Sequence, residues 1–362
     1  MSKKQYIAIL STLLLSACAD NDEWMESAST GEPLQVLAQV EQQYITRASD
    51  GGFATGDEIG VYIVNREDGQ AQPLQVVGNH ADNVRFTYDA DKSTWTGSYQ
   101  LYWRDKQTHV DAYGYYPFDA DLRSVEDYPF SIQRKQNEAL TTGRHLSGYE
   151  ASDFLWAKSE DIVPGTPINL RHHHLMASIQ VKLAEGEGFE AGEWDRLEKS
   201  VLVENTALDT YINLANGIVG ISRNTATASI SPQQRDNVWR AVIAPQTVKA
   251  DKSLIAITVD GDSYNFQRTE DMVYYSGKLH KFTIKVDKRL PEGDYKFTLL
   301  SESITPWEND SESHNGTAKE YIVLHMEAGT VLEDLLKEQG LRASQIENLK
   351  ITGTLADAGR WG

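Results

Sequence analysis

The chain carries one cysteine, Cys18, in 362 residues. No disulfide can close within it, so any core must hold by packing alone. Positive charge is also scarce: 34 Lys and Arg stand against 53 Asp and Glu, a formal net charge of -19. That balance repels phosphate backbones and argues against nucleic acid as a partner, while it favours solubility of an exposed protein. Past the first twenty residues no apolar run is long enough to cross a hydrocarbon layer of ~30 Å, which takes roughly 20 apolar residues as a helix. No glycine-rich phosphate loop leads into a helix. No cofactor is expected.

What is present begins at the N-terminus. Lys3 and Lys4 precede an uncharged apolar run, Tyr6 to Leu15, which ends in Leu15-Ser16-Ala17-Cys18. This is the pattern of a lipoprotein signal peptide, predicted to span 1–17, with cleavage before Cys18 and lipid on its thiol. Acylation would also account for an exported chain with a single thiol. Ala19-Asp20-Asn21-Asp22-Glu23 resembles the acidic signal that directs lipoproteins of the Bacteroidetes to the outer face, and reads equally well as a solvated tether. Ser27 to Tyr44 is polar without a sustained period. Then comes Ile45-Thr46-Arg47-Ala48-Ser49-Asp50-Gly51-Gly52, where Arg47 before Ala48 has the form of a trypsin-like cleavage site in a loop.

From Phe53 the chain is written in short alternating strands: Ile59 to Val64, Val84 to Tyr88, Thr94 to Thr96, Tyr99 to Trp103, and an aromatic run from Val110 to Phe118 stopped by Pro117. Ala177 to Leu183, Val238 to Ile243, Leu254 to Val259, Ser263 to Phe266 and Leu279 to Val286 continue the pattern. Strands at this spacing, with Gly, Asp and Asn between them and little helical periodicity, predict a mainly β protein of packed antiparallel sandwiches. A boundary is expected near Leu175.

Chemistry is sparse. His172-His173-His174 suggests a metal, but neighbours on a strand point to opposite faces and no second His or Cys cluster has ligand spacing, so no metal site is nominated. Carboxylates are abundant enough to pair by chance, and none is nominated as a catalytic acid or base. The aromatics of Tyr113 to Phe118 suit either sugar stacking or a sandwich core, and the core reading is adopted.

These residues carry a resemblance. Thr46-Arg47-Ala48, Phe53, Gly56-Asp57-Glu58-Ile59-Gly60-Val61-Tyr62, Tyr113-Gly114-Tyr115-Tyr116-Pro117-Phe118, Asp153-Phe154-Leu155-Trp156-Ala157, His174-Leu175-Met176-Ala177-Ser178-Ile179, Tyr274-Tyr275-Ser276-Gly277-Lys278 and Ile304-Thr305-Pro306-Trp307 follow in order over roughly residues 46 to 310. In that order they resemble the fimbrillin family of Bacteroidetes, the Mfa-like pilus subunits. The resemblance implies two tandem transthyretin-like Greek-key β-sandwich domains, assigned here to 48–175 and 176–310 behind a lipidated tether or propeptide of 18–47. It implies no enzyme, but a pilus subunit or cell-surface adhesin of the outer membrane. An arginine-specific protease would cut at Arg47, and a groove along a sheet would open. Another pilus subunit would then fill the groove by strand addition. A host or bacterial surface ligand is a further expected partner.

The tail departs from the family pattern. Tyr321 to Met326 alternates like a strand, Val331, Leu332, Leu335 and Leu336 keep helical spacing, and Ile346 to Leu355 reads as a second strand. The segment 311–362 is thus expected to be a small strand-helix-strand module resembling the cap before leucine-rich repeats. A tail held in its own module donates poorly, which favours a tip or accessory position. The alternative function is a glycan-binding outer-membrane lipoprotein beside a nutrient importer.

Overall fold

A computed structural model describes residues 31–40, 52–140, 147–222, 226–291, 293–307, 319–327 and 329–353. Cys18, Arg47 and Ala48 lie outside the described residues. In the first half the strands are β1 (Val36–Val40), β2 (Glu58–Glu67), β3 (Gln70–Ala71), β4 (Ala81–Asp89), β5 (Thr94–Gly97), β6 (Val110–Tyr116), β7 (Tyr128–Ser131), β8 (Leu155–Ile162) and β9 (Ile168–His174). All but β7 join one eight-stranded sheet of order β1-β9-β8-β6-β2-β4-β5, with β3 paired to β2. Asp68 and Gly69, with φ of 51° and 76°, make the tight turn between β2 and β3, a backbone shape that Asp-Gly adopts readily.

The sheet buries both faces. Ile59, Val61, Ile63, Ala112, Leu155, Ala157, Ile168 and Leu170 fill one core, and Tyr62, Val64, Tyr113, Tyr115 and Trp156 fill another. Every residue of β6 is buried for this reason. The expected aromatic strand ends at Tyr116, before Pro117, which has no N–H to give to a ladder. Tyr99 to Trp103, expected as a strand, makes no regular strand, only a single bridge from Tyr102 to Pro33.

In the second half follow β10 (Ala177–Glu185), β11 (Lys199–Thr206), β12 (Asp209–Asn213), β13 (Ile218–Ser222), β14 (Ala228–Ile230), β15 (Gln233–Arg235), β16 (Val238–Ile243), β17 (Gln246–Val248), β18 (Ser253–Val259), β19 (Asp262–Gln267), β20 (Met272–Tyr274), β21 (Lys278–Lys288) and β22 (Tyr295–Pro306). The sheets β15-β16-β10-β21-β22 and β14-β11-β18-β19 share one core, with Ile179, Val181, Phe282 and Ile284 from the first and Val201, Val203, Ile255 and Ile257 from the second. The mainly β fold of packed sheets is the one the alternation predicted. The outer face of the first sheet belongs to this same continuous core.

The tail forms β23 (Lys319–Met326), a helix Leu332–Glu338 and β24 (Leu349–Gly353). β23 and β24 run parallel, which requires a crossover between them, and the helix supplies it. Ile322, Leu324 and Leu336 form its core. The unit does not stand apart: β23 pairs with β13, building a sheet of order β24-β23-β13-β12-β7. Lys350 on β24 pairs with Asp127 and lies 3.1 Å from the centre of the Tyr211 ring.

Candidate strand-acceptor groove

The segment Ser27 to Tyr44, read from the sequence as aperiodic, contains β1. Its inward side chains are Leu34, Val36, Ala38 and Val40, the first two buried and the others half-buried, while Gln35, Leu37 and Gln39 face solvent. Leu37 is the reason the pattern was hidden, since an apolar residue on the outer face breaks the alternation of apolar with polar.

β1 is gripped from two sides. On one side it runs parallel to β9, with Val36 beside Ile168, Ala38 beside Leu170 and Val40 beside His172, and the Ile168 N–H donates to the Gln35 carbonyl at 2.8 Å. On the other side the Leu34 N–H donates to the Leu101 carbonyl at 2.9 Å, and the Trp103 N–H to the Glu32 carbonyl at 3.0 Å. The Trp95 indole N–H donates to the Ala38 carbonyl at 2.8 Å. The sheet therefore curls until β9 and the β5 side nearly meet, and β1 occupies the gap. Burial of Leu34 and Val36 holds it there by about 1.5–3 kcal/mol per side chain.

Arg47 follows β1 by seven residues in the sequence, and β2 begins at Glu58. A cut there would leave β1 attached to the rest of the chain only through these non-covalent contacts.

At the far end of the groove His172 is fully buried, edge-on to Phe53 with ring centroids 5.5 Å apart. Among the described residues neither ring nitrogen finds a hydrogen-bond partner. Burial pushes its pKa down to about 4. His173 lies on the opposite face, edge-on to Trp156, and the His174 ring stacks on Trp307 at 3.9 Å while sharing a hydrogen bond of 2.8 Å with Asp153. The three histidines are split between two cores, and among the described residues no group of three or more His, Cys, Asp or Glu side chains is placed to hold a metal ion.

The other motif residues are also structural. Phe154 is fully buried among Tyr115, Tyr128 and Phe130. The Trp156 indole N–H donates to the Leu214 carbonyl at 2.7 Å, and its ring lies against Gly217, where any Cβ would meet it at 2.7 Å. Tyr113, Tyr115 and Tyr116 are buried, so they offer no exposed face for a sugar.

A profile of the fimbrillin-like family matches residues 46–307. The matched span starts one residue before Arg47, so β1 lies outside it, as does the tail from β23 on. Among curated proteins the chain is similar to a candidate fimbrium subunit, Fim1C, of Bacteroides uniformis, at 22% identity over 326 residues covering 86% of this chain and 99% of the relative. Among solved structures it is similar in fold to a candidate cell adhesion protein from Bacteroides uniformis, with a TM-score of 0.54, 14% identity, and coverage of 76% of this chain and 98% of the other. A candidate cell adhesion protein from Bacteroides ovatus gives a TM-score of 0.56 at 14% identity, with 78% and 99% covered. With the profile spanning more than half of its length, and with the sheets built as described, this chain belongs to the fimbrillin-like family.

Proposed function

We propose that the protein is a pilus subunit or surface adhesin, exported as a lipoprotein through Cys18 and made competent for assembly by cleavage at Arg47. The observation that carries this reading is β1: a strand upstream of the cut fills a groove that strands downstream of it build. While β1 is in place the edge of β9 is covered and cannot template unwanted pairing. After the cut, β1 becomes exchangeable for an extended strand of a neighbouring subunit, whose main chain supplies affinity and whose side chains supply register. The role is one of assembly rather than catalysis, at the outer membrane surface and in a pilus.

The tail supports a tip or accessory place. β23 is committed to β13 and β24, and its apolar residues Ile322 and Leu324 are buried in the local core, so lending this segment to a neighbour would expose them. The glycan-binding alternative is the weaker reading, since Tyr113, Tyr115 and Tyr116, which could have stacked on a sugar, are buried.

Two measurements test the reading. Limited treatment with an arginine-specific protease is expected to cut first after Arg47, with Ala48 as the new N-terminus by sequencing and the sheets intact. Early cuts between Phe53 and Val286 with Arg47 untouched would refute it. Metabolic palmitate labelling is expected on the parent chain and lost from Cys18→Ala; label retained on that variant would sink the lipid anchor.

A further inference from the structure

The strand seated in the groove is a cast of it. Reading inward positions from Leu34, just ahead of β1, through Val36, Ala38 and Val40 on it, side-chain size runs large, medium, small, medium. The narrow point coincides with Trp95. Its indole donates to the Ala38 carbonyl, and its ring packs against Phe53, edge-on at 4.8 Å, and against Tyr88 at 4.9 Å. The indole cannot swing aside without giving up these contacts. On the other flank the ladder neighbour of Ala38 is Leu170, fully buried in the core against which both Ala38 and Trp95 pack. Neighbouring strands lie about 4.7–4.9 Å apart, so a larger side chain at this half-buried position would press on Leu170 and on the wall that Trp95 helps to form.

We infer, on the reading that the groove takes a neighbour's strand, that it selects an extended segment of another subunit running parallel to β9, with a small residue at the position of Ala38. Trp95 sets that requirement. Its N–H reads a carbonyl and so fixes the strand's register whatever the sequence, while its ring limits side-chain size at that one place. The positions of Leu34 and Val36 take larger aliphatic residues, and those of Gln35, Leu37 and Gln39 are open to any residue because they face solvent. Size exclusion at a single inward position is a negative criterion, the kind that separates one donor strand from others of similar overall apolarity.

The test uses the full chain nicked after Arg47 and labelled synthetic peptides with the sequence of residues 32–41. The chain's own released segment competes equally with every peptide, so ratios of apparent affinity report the groove alone. The parent peptide is expected to bind, and the peptide carrying Ala38→Phe to bind about tenfold more weakly, the cost of forcing a large ring between Leu170 and the Trp95 side of the groove. A peptide with Leu37→Phe, an equal enlargement on the solvent face, is expected within about twofold of the parent. On the Trp95→Ala chain the penalty for Ala38→Phe should fall to threefold or less, on the order of half a kcal/mol. On Trp95→Phe, which keeps a ring and loses the donor, all peptides should weaken while the size penalty persists. Failure of every peptide to bind would overturn the groove reading itself. Equal binding of the parent and Ala38→Phe peptides would leave the groove as an acceptor and overturn the size criterion. A tenfold penalty that survives on Trp95→Ala would remove Trp95 from the role.

Discussion

Replacing Phe154 by alanine is expected to cost about 3–5 kcal/mol of stability, the range for deleting a fully buried aromatic ring. The ring stacks against Tyr115 at 6.1 Å and 11°, meets Tyr128 at 5.9 Å, and meets Phe130 edge-on at 5.0 Å. How far such a site collapses sets the loss, and here the walls are tethered. The Tyr115 hydroxyl donates to Asn83 Oδ1 at 2.8 Å, and the Tyr128 hydroxyl donates to Asp119 Oδ2 at 3.1 Å. Both rings would have to break these bonds to move into the void, so the upper part of the range is expected. Phe154 also belongs to the core that continues into the second half, where Leu175 and Met176 are buried, so the cavity opens where the two halves meet. Urea unfolding of the variant measures the loss, with the exposed Tyr99→Ala as a control that should stay within about 0.5 kcal/mol of the parent. A loss for Phe154→Ala below about 1.5 kcal/mol would show that the cluster is not the packed junction described.

Acid is expected to unfold the protein through its buried histidines before its carboxylates titrate. His172 and His280 are both fully buried, and burial lowers each pKa from 6.5 to about 4. The Tyr275 N–H donates to His280 Nε2 at 3.2 Å, which makes that nitrogen an acceptor and keeps the ring neutral. Above pH 6.5 both rings are neutral whether the chain is folded or unfolded, and they contribute no pH dependence. As pH falls from 6.5 to about 4 the unfolded chain takes up protons that the folded chain refuses, so stability drops through that window and the loss stops below it. Each histidine accounts for about 3 kcal/mol over the window. Carboxylates held low by hydrogen bonds, such as Asp105, which bonds to Thr108, and Asp271, which pairs with Lys249, lose their contribution only below the ordinary carboxylate range, so the two causes separate on the pH axis. Unfolding free energy at pH 7, 6, 5 and 4.5 measures the effect, and His172→Leu should remove about half of the decline. A flat profile over that interval, or a variant as acid-sensitive as its parent, would contradict the neutral buried assignment. Since His172 lies beside Val40, the groove end of the first core should loosen early in the decline.

Much of the fold was legible in the sequence. Ile59 to Val64 and Ala177 to Leu183 became β2 and β10 because period-two alternation is a property of the strand backbone itself. The helix at Leu332–Glu338 followed from leucines at helical spacing, with Glu333 and Asp334 in its first turn. The family motifs were recognisable in order, yet what they do was not: Asp153, Phe154, Trp156, His174 and Trp307 are neighbours only because β8, β9 and the end of β22 converge. Alternation placed His172 and His173 on opposite faces of a strand, but that both faces are buried depends on a second core packed over the sheet.

The sequence by itself determined the β class, the places of strands such as β2 and β10, and the residues on which the lipoprotein and cleavage expectations for Cys18 and Arg47 rest, because each of these is encoded within a few consecutive residues. Only the tertiary structure decided that β1 is a strand and where it sits, that Trp95 narrows its seat, and that the tail is bound to β13. Those features arise from pairing between distant segments, in which a five-residue strand with an exposed Leu37 has little local preference of its own and becomes ordered by the backbone groups and apolar walls that β9, Leu101 and Trp95 present to it.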